Sequence, residues 1–277
     1  MSKRFGQNFL VNRTQRERII AELRAKAGAS VWEIGPGIGA MTALALEAGL
    51  VVTAFEIDHG FSRLLRHLFG SYPSFRLVEG DFLKTWKKTL EESGAPERIF
   101  GNLPYSAANA IVADLIEGGL VSTRMVFTVQ KEAALRMAAS PGSKDYSAFS
   151  VLCTSACKVR LAFDLGASSF WPAPRVTSSL AVLEPRREPV AADDRLGFSR
   201  FVRSVFLSRR KTLRNNAMAA GRNGAQVAEA LAARGIRPDV RAEALRPEEL
   251  AALYVELERR RSAGTEPSIA TAPPPGL

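Results

Sequence analysis

Asn102-Leu103-Pro104-Tyr105 has the makeup of a device for presenting an aromatic amine. The nitrogen of such an amine is a poor nucleophile, because its lone pair is delocalised into the ring. The Asn102 side-chain oxygen and a backbone carbonyl at Leu103 or Pro104 can accept both amine protons and leave the lone pair facing an electrophile. Proline stiffens the turn and removes a competing N–H, and Tyr105 offers a π face on which a base can stack. Catalysis of this kind is positioning plus electrostatics, with little need for a strong general base. A plain Asn-Pro turn beside a buried tyrosine would use the same residue types. The neighbouring segments decide between the two.

Gly35-Pro36-Gly37-Ile38-Gly39-Ala40 follows the apolar run Val31–Ile34. Glycines let backbone come close to a ligand and adopt positive φ, and the helix starting near Ala40 supplies free N–H groups. Glu56 ends the next apolar run, 21 positions after Gly35, where a carboxylate meets a ribose diol. Gly35, Gly37 and Ala40 also satisfy the dinucleotide pattern G-x-G-x-x-A, so the turn alone fits NAD. Three features favour S-adenosylmethionine. Asp81 ends the third run and is placed to accept from an adenine amine. His59 and His67, the two histidines, fall in or beside one helical stretch and read as surface residues, so no dehydrogenase acid–base pair is in view. The third feature is the Asn102–Tyr105 segment itself, which has the form of the [N/D/S]-P-P-[Y/F/W] motif of methyltransferases acting on exocyclic amines. Phe170, before Trp171-Pro172-Ala173-Pro174, could wall the other side of a flipped base or plug the core.

These residues need a scaffold. Five apolar runs, Val31–Ile34, Val51–Phe55, Phe75–Val78, Arg98–Phe100 and Met125–Val129, each end near Gly, Asp, Asn or Gln and lead toward a helical pattern. That rhythm belongs to a doubly wound, mostly parallel sheet. Lys158–Phe163 and Val176–Leu183 have no long crossover between them and suit a hairpin at the sheet edge. The expected organisation is a basic arm and helix over 1–28, an α/β domain over 29–188, a small all-α domain over 189–262 and a disordered tail over 263–277. Cys153 and Cys157 are too few for a disulfide framework or a four-cysteine zinc site, and no metal site is expected.

The 277 residues carry 38 Lys and Arg against 28 Asp and Glu, a net charge of +10. Six basic and no acidic side chains lie between Arg200 and Arg214. Such clustering is the footprint of a protein that sits on phosphates. Arg209, Arg210, Lys211 and Arg214 are the candidate contacts, with Lys3 and Arg4 in the basic arm. No apolar run reaches the roughly 18–20 residues of a membrane span, and no secretory signal pattern follows Met1. A cytoplasmic monomer without membrane attachment is expected.

Taken in order, the segments resemble the small-subunit ribosomal RNA adenine N6,N6-dimethyltransferase family, from residue 3 to about 253. The resemblance is carried by Lys3–Leu10, Glu33–Gly37, Glu56-Ile57-Asp58, Gly80-Asp81, Gly101–Tyr105, Gln130-Lys131-Glu132, Pro141–Lys144, Phe170–Pro174, Ser208–Asn216 and Arg241-Ala242-Glu243. It implies a Rossmann-like class I methyltransferase domain with a seven-stranded sheet. The implied reaction is two methyl transfers from S-adenosylmethionine to each of two adjacent adenosines in a hairpin loop near the 3′ end of small-subunit (16S) rRNA, during ribosome biogenesis. The resemblance also implies that Asn8 and Leu10 join Gly35, Glu56, Asp81 and Asn102 around the cofactor. Asn102, Tyr105 and Phe170 would hold the target base, and the basic carboxyl-terminal helices would contact the pre-ribosomal particle. Ser106-Ala107-Ala108, Ala40-Met41 and Ser147 depart from the usual family residues.

Rival readings are the large-subunit rRNA adenine methyltransferases of macrolide resistance, a non-catalytic assembly or transcription factor on the same fold, and an NAD-dependent dehydrogenase. The first usually has Ile at the position of Leu103 and lacks the Arg209–Asn216 run. Intact Asp81, Asn102 and Tyr105 weigh against the second.

Overall fold

The computed structural model describes residues 8–120, 123–190 and 192–263; Lys3, Arg4 and the expected tail from 264 onward lie outside them. Strands β2 (Ser30–Ile34), β3 (Val51–Glu56), β4 (Phe75–Glu79), β5 (Arg98–Asn102), β6 (Arg124–Gln130), β7 (Cys157–Leu165) and β9 (Ser178–Pro185) form one sheet in the order β4-β3-β2-β5-β6-β9-β7. The first five are mutually parallel. β9 runs antiparallel to both β6 and β7, the edge hairpin that the short connection requires. Val176 stays in the loop instead of opening β9 and is 45% exposed.

Side chains alternate along each strand, so the sheet buries two layers. Trp32, Ile34, Ile99, Met125, Phe127, Ala181 and Leu183 face one cluster beneath α4 (Phe82–Ser93) and α5 (Ala108–Glu117). Val31, Val52, Ala54, Phe100, Val126, Leu180 and Val182 face the other, closed by α1 (Arg13–Glu22) and α2 (Ala40–Glu47). Helix α3 (His59–Phe69) begins at Asp58, whose side chain accepts from the Gly60 and Phe61 N–H groups. Cys153, in α7 (Ala148–Ala156), and Cys157, opening β7, are free and buried.

Helices α8 (Arg195–Val205), α9 (Leu213–Ala219), α10 (Gly224–Ala233) and α11 (Pro247–Ala263) follow β9 and share one apolar core. That core also takes in Tyr146 and Val151 from the sheet-bearing part, and the Tyr146 hydroxyl donates to the Leu245 carbonyl at 2.9 Å. The helical part is therefore packed against the sheet-bearing part through a common interior. Ser147, a departure from the usual family residue, caps α7 in a reciprocal box with Ser150.

From β2 the chain moves outward to β3 and β4, then returns to β5 on the other side of β2. A crevice opens where the direction reverses, beyond the strands' carboxyl ends. β5 approaches β2 closely there: a Cβ on Gly101 would meet the Ile34 carbonyl oxygen at 2.4 Å. Gly101→Ala is expected to lower stability by about 1–3 kcal/mol, read as a reduced midpoint in chemical denaturation. An unchanged midpoint would mean that the two strands separate without cost.

Candidate active site

The crevice is lined by Asn8, Phe9, Leu10, Gly35, Gly37, Ile38, Glu56, Ile57, Asp81, Asn102, Leu103, Pro104 and Tyr105 among others. The glycine turn forms its floor. Gly35, Gly37 and Gly39 have φ of 68°, 57° and 79°, a region that strains other L residues. A Cβ on Gly37 would also sit 2.9 Å from Cε1 of Phe9 and push that ring aside. Helix α2 starts from Gly39, where no side chain caps its first N–H groups among the described residues.

Glu56, at the end of β3, is 2% exposed. Its Oε2 accepts from the Gly37 N–H at 3.0 Å and its Oε1 from the Asp58 N–H at 2.8 Å. The two bonds fix the carboxylate plane and leave a further lone pair on each oxygen for a vicinal diol. Burial raises its pKa, and the N–H donors oppose that rise. Asp81 lines the same crevice and caps α4 through Oδ1, which accepts from the Leu83 N–H at 3.1 Å. Among the described residues no donor reaches its Oδ2, which can accept from an amine.

Asn102 closes β5, and its Nδ2 donates to the Asn8 carbonyl at 2.7 Å. That bond engages the donor end of the amide and leaves Oδ1 as the acceptor. Leu103 has its side chain in the core at 1% exposure, and its N–H bonds to the Thr128 carbonyl at 3.0 Å. The Pro104 carbonyl already accepts from the Ala107 and Ala108 N–H groups at 2.9 and 3.0 Å. Of the two carbonyls left open by the sequence, Leu103's is the one without a protein donor among the described residues. Tyr105 is half-buried, and its hydroxyl lies 2.7 Å from Ser178 Oγ, which fixes the direction of its ring.

The arm enters through a ribbon too short to announce itself in sequence. β1 (Phe9–Leu10) pairs antiparallel with β8 (Phe170–Trp171), in register Phe9↔Trp171 and Leu10↔Phe170. Asn8, Phe9 and Leu10 thus reach the crevice. Phe170 does not line it. At 3% exposure Phe170 packs with Leu10, Leu165 and Leu180, because pairing with Leu10 turns it to the core side of the ribbon. Here the core-plug alternative describes its position.

The basic run divides. Arg209 donates to Glu243 at 2.7 Å and to the Lys144 and Ser143 carbonyls, stapling its loop to residues 143–144. Arg214 bonds the Gly224 carbonyl at 3.1 Å. Arg210 and Lys211 are exposed and have no ion-pair partner among the described residues. The sequence reading missed Glu33. It is fully buried, with the Thr42 hydroxyl donating to Oε2 at 2.6 Å and, among the described residues, no donor at Oε1. A carboxylate inside Val31-Trp32-Glu33-Ile34 was the available signal.

Fold and crevice together define the class as a Rossmann-like methyltransferase. Residues 1–259 match the family model for "Ribosomal RNA adenine dimethylase". The chain is 43% identical over 250 residues to "Ribosomal RNA small subunit methyltransferase A" of Treponema denticola, covering 88% of this chain and 85% of that protein. It is 43% identical over 213 residues to the protein of the same name from Borreliella burgdorferi strain ZS7, covering 77% and 74% respectively. A solved dimethyladenosine transferase from Plasmodium falciparum superposes with a TM-score of 0.76 over 91% of this chain and 98% of that one, at 23% identity. The 23S rRNA methyltransferase ErmE gives 0.64 over 91% and 100%, also at 23% identity. These two likenesses are of fold alone. The chain belongs to the ribosomal RNA adenine dimethylase family, whose cofactor is S-adenosylmethionine.

Burial pushes the Glu33 carboxyl from its ordinary 4.5 to about 8, and the Thr42 hydroxyl opposes that rise only in part. Between those values the folded chain keeps a proton that the unfolded chain has released. Its contribution to stability is therefore full below pH 4.5 and lost as pH rises through about 8. Glu33→Gln is expected to lose less stability than the parent over that window, as measured by denaturant unfolding at several pH values. Parallel pH profiles would show that Glu33 ionises alike in both states.

Proposed function

We propose that this chain transfers methyl groups from S-adenosylmethionine to the N6 amines of two adjacent adenosines. These lie in a hairpin loop near the 3′ end of small-subunit (16S) rRNA, and each receives two methyl groups. The protein acts as a cytoplasmic monomer on a pre-ribosomal particle. The reading is carried by Asn102 and Leu103, which line the crevice at the end of β5 with the Asn102 Nδ2 held by the Asn8 carbonyl. It is supported by relatives named for small-subunit rRNA that cover most of this chain.

The cofactor, when bound, supplies a sulfonium-borne methyl carbon. Of the residues lining the crevice, Glu56 would accept from the cofactor's ribose hydroxyls and Asp81 from its adenine amine, and Asn8, Leu10, Gly35 and Gly37 would complete the site. At the target base, Asn102 Oδ1 and the Leu103 carbonyl accept the two N6 protons, which pulls the nitrogen away from planarity with the ring. Pro104 keeps that carbonyl outward, and Tyr105 stacks on the base. Each transfer forms an N6–CH3 bond at the expense of the donor's S–CH3 bond and releases one N6 proton to solvent, so after the first a single N–H remains and one acceptor bond orients the amine for the second. Phe170 backs the ribbon that carries Asn8. Arg210 and Lys211 meet phosphate, as do Lys3 and Arg4, while Arg209 and Arg214 shape the loop.

Asn102→Ala is expected to abolish methyl transfer to small-subunit rRNA, with cofactor affinity within a few-fold of the parent. Parental dimethylation, read by mass spectrometry of the rRNA, would remove Asn102 from the reaction. Replacing Arg210 and Lys211 by Ala should reduce the slope of log Kd against log salt by up to about two. Arg209→Ala should instead lower thermal stability. An unaltered slope in the double variant would show that these two charges never meet phosphate.

A further inference from the structure

The loop joining β8 to β9 carries an exposed aromatic that the reaction above does not use. Trp171 is 60% exposed, whereas Trp32 and Trp86 are 2% and 0% exposed. Its position is fixed from both ends. At the start, Trp171 stands opposite Phe9, which lines the crevice and whose neighbour Asn8 holds the Asn102 amide. Directly paired residues share a face of an antiparallel ribbon, so Trp171 lies on the Phe9 side while Phe170 takes the core side with Leu10. At the end, the Thr177 carbonyl accepts from the Lys131 N–H at 2.9 Å, and Ser178 Oγ is 2.7 Å from the Tyr105 hydroxyl. Pro172 and Pro174 stiffen the span between.

The loop is thus fastened beside Phe9 and beside Tyr105. Between those points it exposes Trp171, Arg175 and Val176. Arg175 has no ion-pair partner among the described residues. A large exposed indole and an unpaired guanidinium carried on one short loop are groups that grip single-stranded nucleic acid: the ring stacks on a base and the cation meets a phosphate. The crevice must receive an adenosine drawn out of its stack, which leaves a neighbouring base without its partner.

Resting on the rRNA reading, we propose that Trp171 and Arg175 hold the nucleotide next to the target adenosine, Trp171 by stacking on its base and Arg175 through its phosphate. Trp171 is a positioning residue and touches neither the cofactor nor the reacting amine.

The test uses the full chain and small-subunit particles lacking the adenine methylations. Trp171→Ala should raise KM for the particle roughly 5- to 100-fold, with kcat and S-adenosylmethionine affinity unchanged. Trp171→Phe should restore most of the loss. Arg175→Ala should lessen the salt dependence of KM. Because the other two tryptophans are buried, acrylamide quenching reports Trp171 in the parent protein. An RNA hairpin with the two adjacent adenosines, at saturation by filter binding, should protect it. That measurement stands if Trp171→Ala does not fold. Parental KM in Trp171→Ala, or quenching unaffected by the bound hairpin, overturns the proposal. Failure of the parent protein to methylate the particle would instead overturn the rRNA reading.

Discussion

An amide has a donor end and an acceptor end, and only the acceptor end of Asn102 can orient an amine. The choice is made by the Asn8 carbonyl, which accepts a hydrogen bond from Nδ2 at 2.7 Å. Rotating the amide would set two carbonyl oxygens against each other and leave Nδ2 aimed at the substrate's own N–H groups. The arm therefore has to be in place before the site has a defined polarity. Its placement depends on the two-residue ribbon with Phe170–Trp171 and on Arg16 of α1, which donates to the Val11 and Ala40 carbonyls at 3.3 Å.

The same economy runs through the rest of the crevice. Parallel strands end together at the switch between β2 and β5, so their last residues face one space. Each of those residues has part of its bonding capacity committed to protein. Glu56 is braced by two N–H groups, Asp81 caps α4 with one oxygen, and Tyr105 is tied to Ser178. What remains on each is the acceptor capacity or ring face that the proposed reaction would use. Such preorganisation lowers the reorganisation needed at reaction, where positioning supplies most of the rate.

Charge divides in a comparable way. The run from Arg200 to Arg214 reads as uniform in sequence, yet Arg203 pairs with Glu117 at 2.6 Å, Arg209 with Glu243 at 2.7 Å, and Arg214 is bound to a carbonyl. Guanidinium groups with several donors suit stapling a loop as well as phosphate contact. Composition sees the charge and cannot see which donors are already engaged.

The sequence by itself determined the sheet, because strand-length apolar runs separated by helical stretches leave few other topologies, and it limited the roles open to Asn102, Glu56 and Asp81, because residue type at a strand end limits what can be held there. It also held the two placements of Phe170 as alternatives. Only the tertiary structure chose the core for that ring, assigned the open carbonyl to Leu103, and found Glu33 sealed under Thr42. Two of those outcomes turn on a partner in another element, Leu10 for Phe170 and Thr42 of α2 for Glu33, and the third on the fold of the turn itself, where the Ala107 and Ala108 N–H groups occupy the Pro104 carbonyl. Local pattern encodes period and residue type, whereas which face of a two-residue strand is buried depends on what pairs with it.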